Sequence, residues 1–172
     1  AQRFNHHFGE LFVIPEPVIP RTGARIMGLQ TPDKKMSKSD ATEANVIRML
    51  DDPKVIEKKF KRAVTDSEGV IRYAPDSQPG VANLLSILSV CSGKSPQQLA
   101  EAYSGQGYGA LKKDTSDAVI ALLEPIQQRY QQLISAPDHL DQILQSGQQR
   151  AAARANQTLQ QAKRMLGLIV HE

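Results

Sequence analysis

The 172-residue chain has no tryptophan, a single cysteine and few aromatic side chains, which make up 5% of its residues. Because Cys91 has no second cysteine to pair with, the sequence excludes a disulfide-stabilised scaffold of the secreted type. Cys91 directly follows the apolar run Leu84–Val90 and is predicted to be a small core residue in a reducing compartment. No apolar run approaches the length of a membrane span and no signal-peptide pattern is present, so we expect a cytoplasmic protein without a membrane partner.

Basic side chains only slightly outnumber acidic ones, 21 to 18, which gives a net charge of +3. Such a balance permits a nucleic-acid partner without requiring one. A composition of 40% hydrophobic and 23% charged residues is that of an ordinary globular protein. No cysteine or carboxylate cluster has the spacing of metal ligands, and the adjacent His6 and His7 point to different sides of a helix, so no metal site is predicted.

Apolar side chains near the start of the chain recur with the spacing of one helical face: Phe4, Phe8, Leu11 and Phe12. Three prolines follow and favour an extended connection: Pro15, Pro17 and Pro20. We then expect a short strand over Arg25–Leu29. Beyond it, Asp40 and Glu43 have the spacing of a capping box, which predicts a short helical turn.

Helical signals dominate after residue 50. Asp52 as N-cap and Pro53 as the first helical residue predict a helix. Its apolar face is predicted to comprise Ile56, Phe60, Ala63 and Val64. Its opposite face is basic and comprises Lys54, Lys58, Lys61 and Arg62. This basic face is either an ordinary solvated surface or a contact for nucleic-acid phosphates, and the sequence leaves both interpretations open.

Residues 68–80 are rich in glycine and proline and predict a loop, with a brief strand over Ile71–Tyr73. Further helices are predicted, in chain order, over Val81–Val90, after a cap at Ser95, over Ser116–Ile134 and over Asp138–Leu166. Pro125 should kink or divide the helix in which it lies. The last helix is predicted to pack through Leu140, Ile143, Leu144, Gly147, Ala151, Ala155, Leu159, Ala162 and Leu166.

The pentapeptide Lys35-Met36-Ser37-Lys38-Ser39 is the most informative feature of the chain. Two ammonium groups and two hydroxyls within five residues suit a polyphosphate, because lysines neutralise its charge while hydroxyls donate hydrogen bonds to its oxygens. For a generic lysine- and serine-rich pentamer, a solvated surface turn would be the better interpretation. The pentapeptide, however, matches the KMSKS signature of class I aminoacyl-tRNA synthetases.

The surroundings of this signature resemble the bacterial-type tryptophanyl-tRNA synthetases. The resemblance lies in Ala1–Asn5, Gly23–Met27, Ser39-Asp40, Val46-Ile47, Asp52–Lys54, Ala63–Ser67, Tyr108-Gly109, Pro125–Gln127 and Arg129-Tyr130, and so extends over nearly the whole chain. Tyrosyl-tRNA synthetases are the nearest confusable relatives, but their loop usually departs from KMSKS.

The resemblance implies a mainly α fold in two parts. Residues 1–50 would be the trailing edge of a class I Rossmann-type catalytic domain with the KMSKS loop, and residues 51–172 an all-helical bundle that binds the tRNA anticodon. It also implies an ATP-dependent tryptophan–tRNA ligase, active as a homodimer, with magnesium-bound ATP, tryptophan and tRNA as its substrates.

The resemblance also implies roles for six residues around the loop. Lys35 and Lys38 would contact the triphosphate as catalytic lysines, with Lys38 favoured. Ser37 and Ser39 would donate to phosphates or hold the loop. Met36 and Ile26 would meet the adenine, largely through backbone groups. Without the resemblance, Ile26 would be read as a core residue.

The other signature of class I synthetases, H-I-G-H or a close variant, is missing. None of the four histidines has such a context: His6, His7, His139 and His171. We therefore expect the chain to correspond to the C-terminal half of a synthetase and to be inactive alone. On this basis residues 1–20 should be mobile or self-associating, and residues 51–172 should fold independently. The alternative is a non-catalytic helical tRNA-binding module.

Overall fold

The computed structural model describes residues 1–20 and 22–169 and is mainly α-helical, which confirms the predicted fold class. The helices are α1 Gln2–Phe8, α2 Pro53–Lys61, α3 Pro79–Ser92, α4 Pro96–Ala102, α5 Tyr108–Ile134 and α6 Pro137–Met165, with a 3₁₀ turn at Glu43–Asn45. Within these described residues no helix is both long and apolar enough to cross a membrane. His171 lies outside them.

The two predicted strands are wrong. In the described part of the chain, β pairing is limited to one isolated antiparallel bridge between Met27 and Lys35. Arg25–Leu29 and Ile71–Tyr73 contribute apolar side chains to the interior, as strands do, but neither belongs to a sheet. Alternating burial indicates a half-buried extended segment, whereas a strand also needs a neighbour with which to share a ladder of hydrogen bonds.

The chain divides into two compact units: Ala1–Val18 with Gln131–Glu172, and Ile19–Tyr130. The core of the second unit combines Leu29, which precedes the KMSKS loop, with Ile56 and Phe60 of α2 and Leu85 of α3. The loop is therefore mounted on the same apolar core as the helices that follow it. The functional assignment of residues 1–50 and 51–172 stays a prediction, since compactness does not test it.

Two of the predicted helix starts are confirmed. Asp52 accepts a hydrogen bond from the Lys54 N–H at 2.8 Å, with Pro53 as the first helical residue. Ser95 and Gln98 form a reciprocal capping box at the start of α4. Each such cap satisfies backbone N–H groups that have no partner within the helix.

The predicted box of Asp40 and Glu43 is wrong. The residue before the 3₁₀ turn is Thr42, whose N–H donates to Asp40 Oδ1 at 2.8 Å. Glu43 does not reach back to Asp40 and instead pairs with Arg48 at 2.6 Å. The predicted short helical turn is therefore confirmed as the 3₁₀ turn Glu43–Asn45, but Asp40 bonds the residue before this turn and does not cap it.

The predicted α2 faces are confirmed with one exception. Ile56, Phe60 and Ala63 are buried, but Val64 is 43% exposed. The helix ends at Lys61, so Val64 is no longer on its periodic face. Its N–H donates to the Leu29 carbonyl at 2.8 Å, which connects the end of α2 to the segment before the loop.

Helix α5 is longer than predicted and is not divided. It begins at Tyr108 rather than Ser116, because Leu111 and Thr115 continue the buried face by a further two turns. Pro125 lies inside the helix without ending it. A proline removes one backbone hydrogen bond, and neighbouring turns on both sides maintain the helix here.

The packed face predicted for α6 is largely wrong. Ala162 is buried, whereas Leu144, Leu159 and Leu166 are 60%, 48% and 43% exposed. In its compact unit this helix of 29 residues is accompanied by residues 1–18 and the last turn of α5, which are too few to cover its length. Apolar spacing predicted the face, but spacing carries no information on what lies against it.

The N-terminal segment folds back within its own compact unit, and the expectation that residues 1–20 are mobile or self-associating stays a prediction. Helix α1 ends at Phe8, and Gly9 turns the chain with a φ of +96°. A Cβ atom at Gly9 would lie 3.2 Å from the Met165 Cε, which places the turn against the end of α6. Leu11 and Phe12 lie beyond the helix, yet Phe12 still contacts the Phe4 ring at a centroid distance of 4.9 Å.

A buried tyrosine links α4 to α5 and makes the stability of the fold depend on pH. The Tyr103 side chain is 9% exposed, and its hydroxyl donates to Asp114 Oδ2 at 2.6 Å. Burial and this bond raise the pKa of Tyr103 from 10.0 to about 12. Since the folded state holds the proton more tightly, the stabilisation is complete below pH 10 and is lost as pH rises to about 12.

We expect Tyr103→Phe to remove part of this alkaline loss. Between pH 10 and 12 the wild type should lose about 1–3 kcal/mol more unfolding free energy than the variant. Urea titrations across this range measure the difference, and Tyr130→Phe serves as control because Tyr130 is 42% exposed. Equal alkaline loss in wild type and Tyr103→Phe would contradict the assignment.

Candidate nucleotide-binding site

The first residues of the KMSKS loop lie on the returning arm of a tight turn. The Gly28 N–H donates to the Lys34 carbonyl, and the Met36 N–H donates to the Ile26 carbonyl, each at 2.9 Å. The Lys34 N–H closes the turn on the Thr31 carbonyl at 3.0 Å. Ile26 and Met36, both predicted to meet the adenine, are therefore direct neighbours.

The outgoing arm is attached to α3 by Asn83. This side chain is 5% exposed, and its Oδ1 accepts from the Met27 N–H while its Nδ2 donates to the Met27 carbonyl, both at 2.9 Å. A carboxamide thereby supplies the two hydrogen bonds that a neighbouring strand would otherwise make. The sequence contained one signal for this role, a single asparagine within the apolar helix of residues 81–90.

A second buried carboxamide, that of Asn45, connects the two ends of the loop. Its Oδ1 accepts from the N–H groups of Gln30 at 2.8 Å and Thr31 at 3.2 Å. Its Nδ2 donates to the Thr31 hydroxyl at 2.8 Å and to Asp40 Oδ2 at 2.6 Å. Its backbone carbonyl also accepts from the Leu29 N–H at 3.1 Å. One side chain, 3% exposed, thus fixes the segment before the motif and the aspartate after it.

The surroundings of Asp40 stabilise the charged form of its carboxyl group. The Thr42 N–H and the Asn45 amide both donate to its carboxylate and lower the pKa of that carboxyl. Lys34 contributes a smaller attraction in the same direction. Asp40 therefore remains an acceptor that holds the end of the loop.

The serines of the motif form the exposed tip of the loop. The hydroxyls of Ser37 and Ser39 lie 3.1 Å apart, and the Asp40 N–H donates to the Ser37 carbonyl at 3.1 Å. Both serines are exposed, as are Lys35 and Lys38. Hydroxyl and ammonium donors are consequently presented to solvent by a turn whose backbone is internally bonded.

Next to this loop lies a groove with a volume of about 720 Å³. It is lined by Gly23, Ala24, Ile26, Lys35, Met36, Lys38 and residues 46–50. Four of the six predicted site residues therefore line one groove, and Ser37 and Ser39 lie on the adjoining tip without lining it. The wall formed by residues 46–50 was not predicted as part of the site, because nothing in its sequence pattern distinguishes it from an ordinary extended segment.

The groove combines an apolar surface with two lysines. Ile26 and Met36 are half-buried and pack against the core, while Lys35 and Lys38 supply positive charge. An apolar surface suits a planar base, and ammonium groups suit phosphates. Within residues 1–20 and 22–169, no three histidine, cysteine, aspartate or glutamate side chains lie close enough together to hold a metal ion.

Gly28 is required by the close approach of Asn45, which gives a test of this arrangement. A Cβ atom at Gly28 would lie 2.2 Å from Asn45 Oδ1, so Gly28→Ala should displace the carboxamide. We expect the free energy of unfolding to fall by about 1–3 kcal/mol, because buried groups would lose their partners. Chemical denaturation measures the change.

The matched control is Gly107→Ala, since a Cβ atom there meets no heavy atom within 4 Å. This variant should retain nearly wild-type stability. A similar loss in both variants would show that the effect comes from glycine replacement in general and not from displacement of Asn45.

Comparison with known proteins supports the same assignment. The family described as tRNA synthetases class I (W and Y) matches residues 1–124. A tryptophan–tRNA ligase of Oceanobacillus iheyensis is 51% identical over 98% of this chain and 51% of its own length. The corresponding ligase of Enterococcus faecalis is 50% identical over 98% of this chain and 51% of its own length.

The fold comparison agrees. The crystal structure of tryptophanyl-tRNA synthetase from Mycoplasma pneumoniae has a TM-score of 0.87 and 33% identity, over 98% of this chain and 51% of that one. The chain spans about half the length of the relatives it matches. The predicted resemblance to the tryptophanyl-tRNA synthetases is confirmed, and the chain belongs to the class I tRNA synthetases of tryptophan and tyrosine.

Proposed function

We propose that this chain contributes the KMSKS half of the ATP site in an ATP-dependent tryptophan–tRNA ligase. The observation that carries the proposal is the groove in which Lys35 and Lys38 border the half-buried side chains of Ile26 and Met36. The similarity to tryptophan–tRNA ligases supplies the substrate class. The product would be tryptophanyl-adenylate, which then charges tRNA.

The chemistry explains why ammonium groups are needed at this loop. The carboxylate of tryptophan attacks the α-phosphorus of ATP, a new oxygen–phosphorus bond forms, and the bond from the α-phosphorus to the bridging oxygen of pyrophosphate breaks. Negative charge grows on the leaving pyrophosphate during this step. Lysines aimed at that charge stabilise the transition state more than the ground state, which raises the rate of activation.

Within this scheme Lys38 is the catalytic lysine, and Lys35 shares the neutralisation of the triphosphate. Both are exposed, and neither forms an ion pair within the described residues, so their charge is available to an incoming anion. Ser37 and Ser39 would donate to phosphate oxygens from the tip of the loop. Because this tip protrudes from a bonded base, its closure over ATP would be a gating step.

The adenine would lie against Ile26 and Met36. Contact would be made largely through backbone groups, and the half-buried side chains of both residues line the groove beside them. Magnesium would be held chiefly by the triphosphate oxygens, as this ion usually is in nucleotide sites. Its chemistry would be to neutralise the phosphates alongside the two lysines.

The remaining partners follow from the family and stay proposals. The helical residues 51–172 would bind the tRNA anticodon region, and the intact enzyme would be a cytoplasmic homodimer. Lys54, Lys58, Lys61 and Arg62 of the α2 basic face are exposed, which suits tRNA phosphates and a solvated face equally.

We expect Lys38→Ala in the full-length protein to lower the rate of tryptophan activation by a factor that corresponds to about 3 kcal/mol, the usual loss for one preorganised donor. Tryptophan-dependent exchange between ATP and pyrophosphate measures this rate. Affinity for tryptophan should not change. Lys34→Ala is the matched control, because Lys34 is exposed and does not line the groove.

The Michaelis constant for ATP decides the role of Lys38. An increase in that constant alone would make Lys38 a ground-state anchor and would contradict the catalytic assignment. Lys34→Ala should leave both parameters near those of the wild type.

The 172-residue chain alone should show only background exchange, since it has no H-I-G-H signature. Exchange by the full-length protein supports the ligase. Binding of tRNA by that protein without any exchange would favour the alternative of a non-catalytic helical tRNA-binding module.

A further inference from the structure

One wall of the nucleotide groove contains no regular secondary structure. Residues 46–50 line the groove beside Lys35, Met36 and Lys38. They follow the 3₁₀ turn and precede α2, so they belong to neither element. Without a helix or strand, the backbone carbonyls of this wall need partners from elsewhere in the chain. Two side chains supply partners for the carbonyls of Val46, Met49 and Asp51, and the Asp51 N–H donates to the Arg48 carbonyl at 3.1 Å.

Lys59 of α2 holds the two ends of the wall. Its side chain is buried, and Nζ donates to the Val46 carbonyl at 2.8 Å and to Asp51 Oδ2 at 2.7 Å. The same Asp51 oxygen accepts from the Arg48 N–H at 3.0 Å. A buried lysine is stable only with such an anionic partner and further acceptors.

Gln127 of α5 holds Met49 in the wall and the adjoining Asp51. Its Nε2 donates to the Met49 carbonyl at 2.8 Å and to the Asp51 carbonyl at 3.0 Å. Since both partners are carbonyl oxygens, which only accept, the amide nitrogen must face them. The half-buried side chain of Gln127 therefore donates to two backbone carbonyls at the wall, although α5 lies far from these residues in the sequence.

Resting on the proposed function, we propose that Gln127 is a positioning residue for ATP. From α5 it fixes the wall of residues 46–50 and the adjoining Asp51, and it thereby makes the affinity for ATP depend on the helical part of the chain. Gln127 is not among the residues that line the groove. Its effect is exerted through the carbonyls of Met49 and Asp51. Lys59 cooperates from α2, but its removal would leave the Asp51 carboxylate buried and unpaired.

The test is Gln127→Met in the full-length protein, which keeps the length of the side chain and removes both donors. Losing two hydrogen bonds that preorganise the wall should raise the Michaelis constant for ATP roughly fivefold to tenfold. The turnover number in ATP–pyrophosphate exchange should stay within about twofold, and the Michaelis constant for tryptophan should not change. Gln131→Met, one turn further along α5 at an exposed position, is the matched control and should leave both Michaelis constants and the turnover number near wild type.

The two kinetic parameters separate positioning from a merely structural role. A variant that only reduced the folded fraction would lower turnover and leave the Michaelis constant for ATP unchanged, and that result would overturn the inference. Gln127→Glu is the second variant if Gln127→Met does not fold. It preserves shape but cannot donate to two carbonyls, so the same increase is expected, and an unchanged constant would again overturn the inference.

A second measurement does not depend on enzymatic activity. In the 172-residue chain, Gln127→Met should speed amide hydrogen exchange in peptides that cover residues 46–51, while exchange in α3 stays as in the wild type. Unchanged exchange in this wall would overturn the inference even with an active enzyme. Faster amide exchange in the Gln127→Met variant, together with no tryptophan-dependent ATP–pyrophosphate exchange by the full-length wild-type protein, would instead overturn the proposed function.

Discussion

The buried carboxamide of Asn45 is the interaction on which the candidate site depends. It joins the segment before the KMSKS motif to the aspartate that follows it, through four side-chain hydrogen bonds of 2.6–3.2 Å. Gly28 permits this approach because a side chain there would occupy the place of Asn45 Oδ1. An exposed loop rich in lysine would otherwise be held only by its weak local turns, and its ammonium groups would have no defined position.

The same constraint applies to other irregular segments near the groove. A backbone outside helices and sheets must find partners for its N–H and C=O groups, and here amide and ammonium side chains provide them. Asn83 satisfies Met27 from α3, Lys59 satisfies Val46 from α2, and Gln127 satisfies Met49 from α5. Three helices thereby support the loops of this site, which within residues 1–20 and 22–169 contain no more β pairing than one isolated bridge.

The sequence predicted a chemistry for the site, which stays a prediction, and did not reveal how the site is built. Signature residues such as Lys35 and Lys38 were found because five consecutive residues carry the pattern. Asn45 and Asn83 have no characteristic spacing, since their partners lie at distances along the chain that only the fold determines. Helix starts were found where a local rule is sufficient, as at Asp52 and Ser95. The two predicted strands were wrong because a strand requires a neighbour, which local spacing does not reveal.

Burial and pairing distinguish the structural lysine, Lys59, from Lys35 and Lys38, for which a functional role is proposed. Lys59 is buried and its charge is matched by Asp51 at 2.7 Å, so it is committed to the fold. Lys35 and Lys38 are exposed and, among the described residues, form no ion pair. A loop that holds such ammonium groups beside an apolar surface is suited to an anionic ligand that carries a base. The wall held by Lys59 and the loop that carries Lys35 line the same groove, so one lysine shapes the site and the others provide its charge.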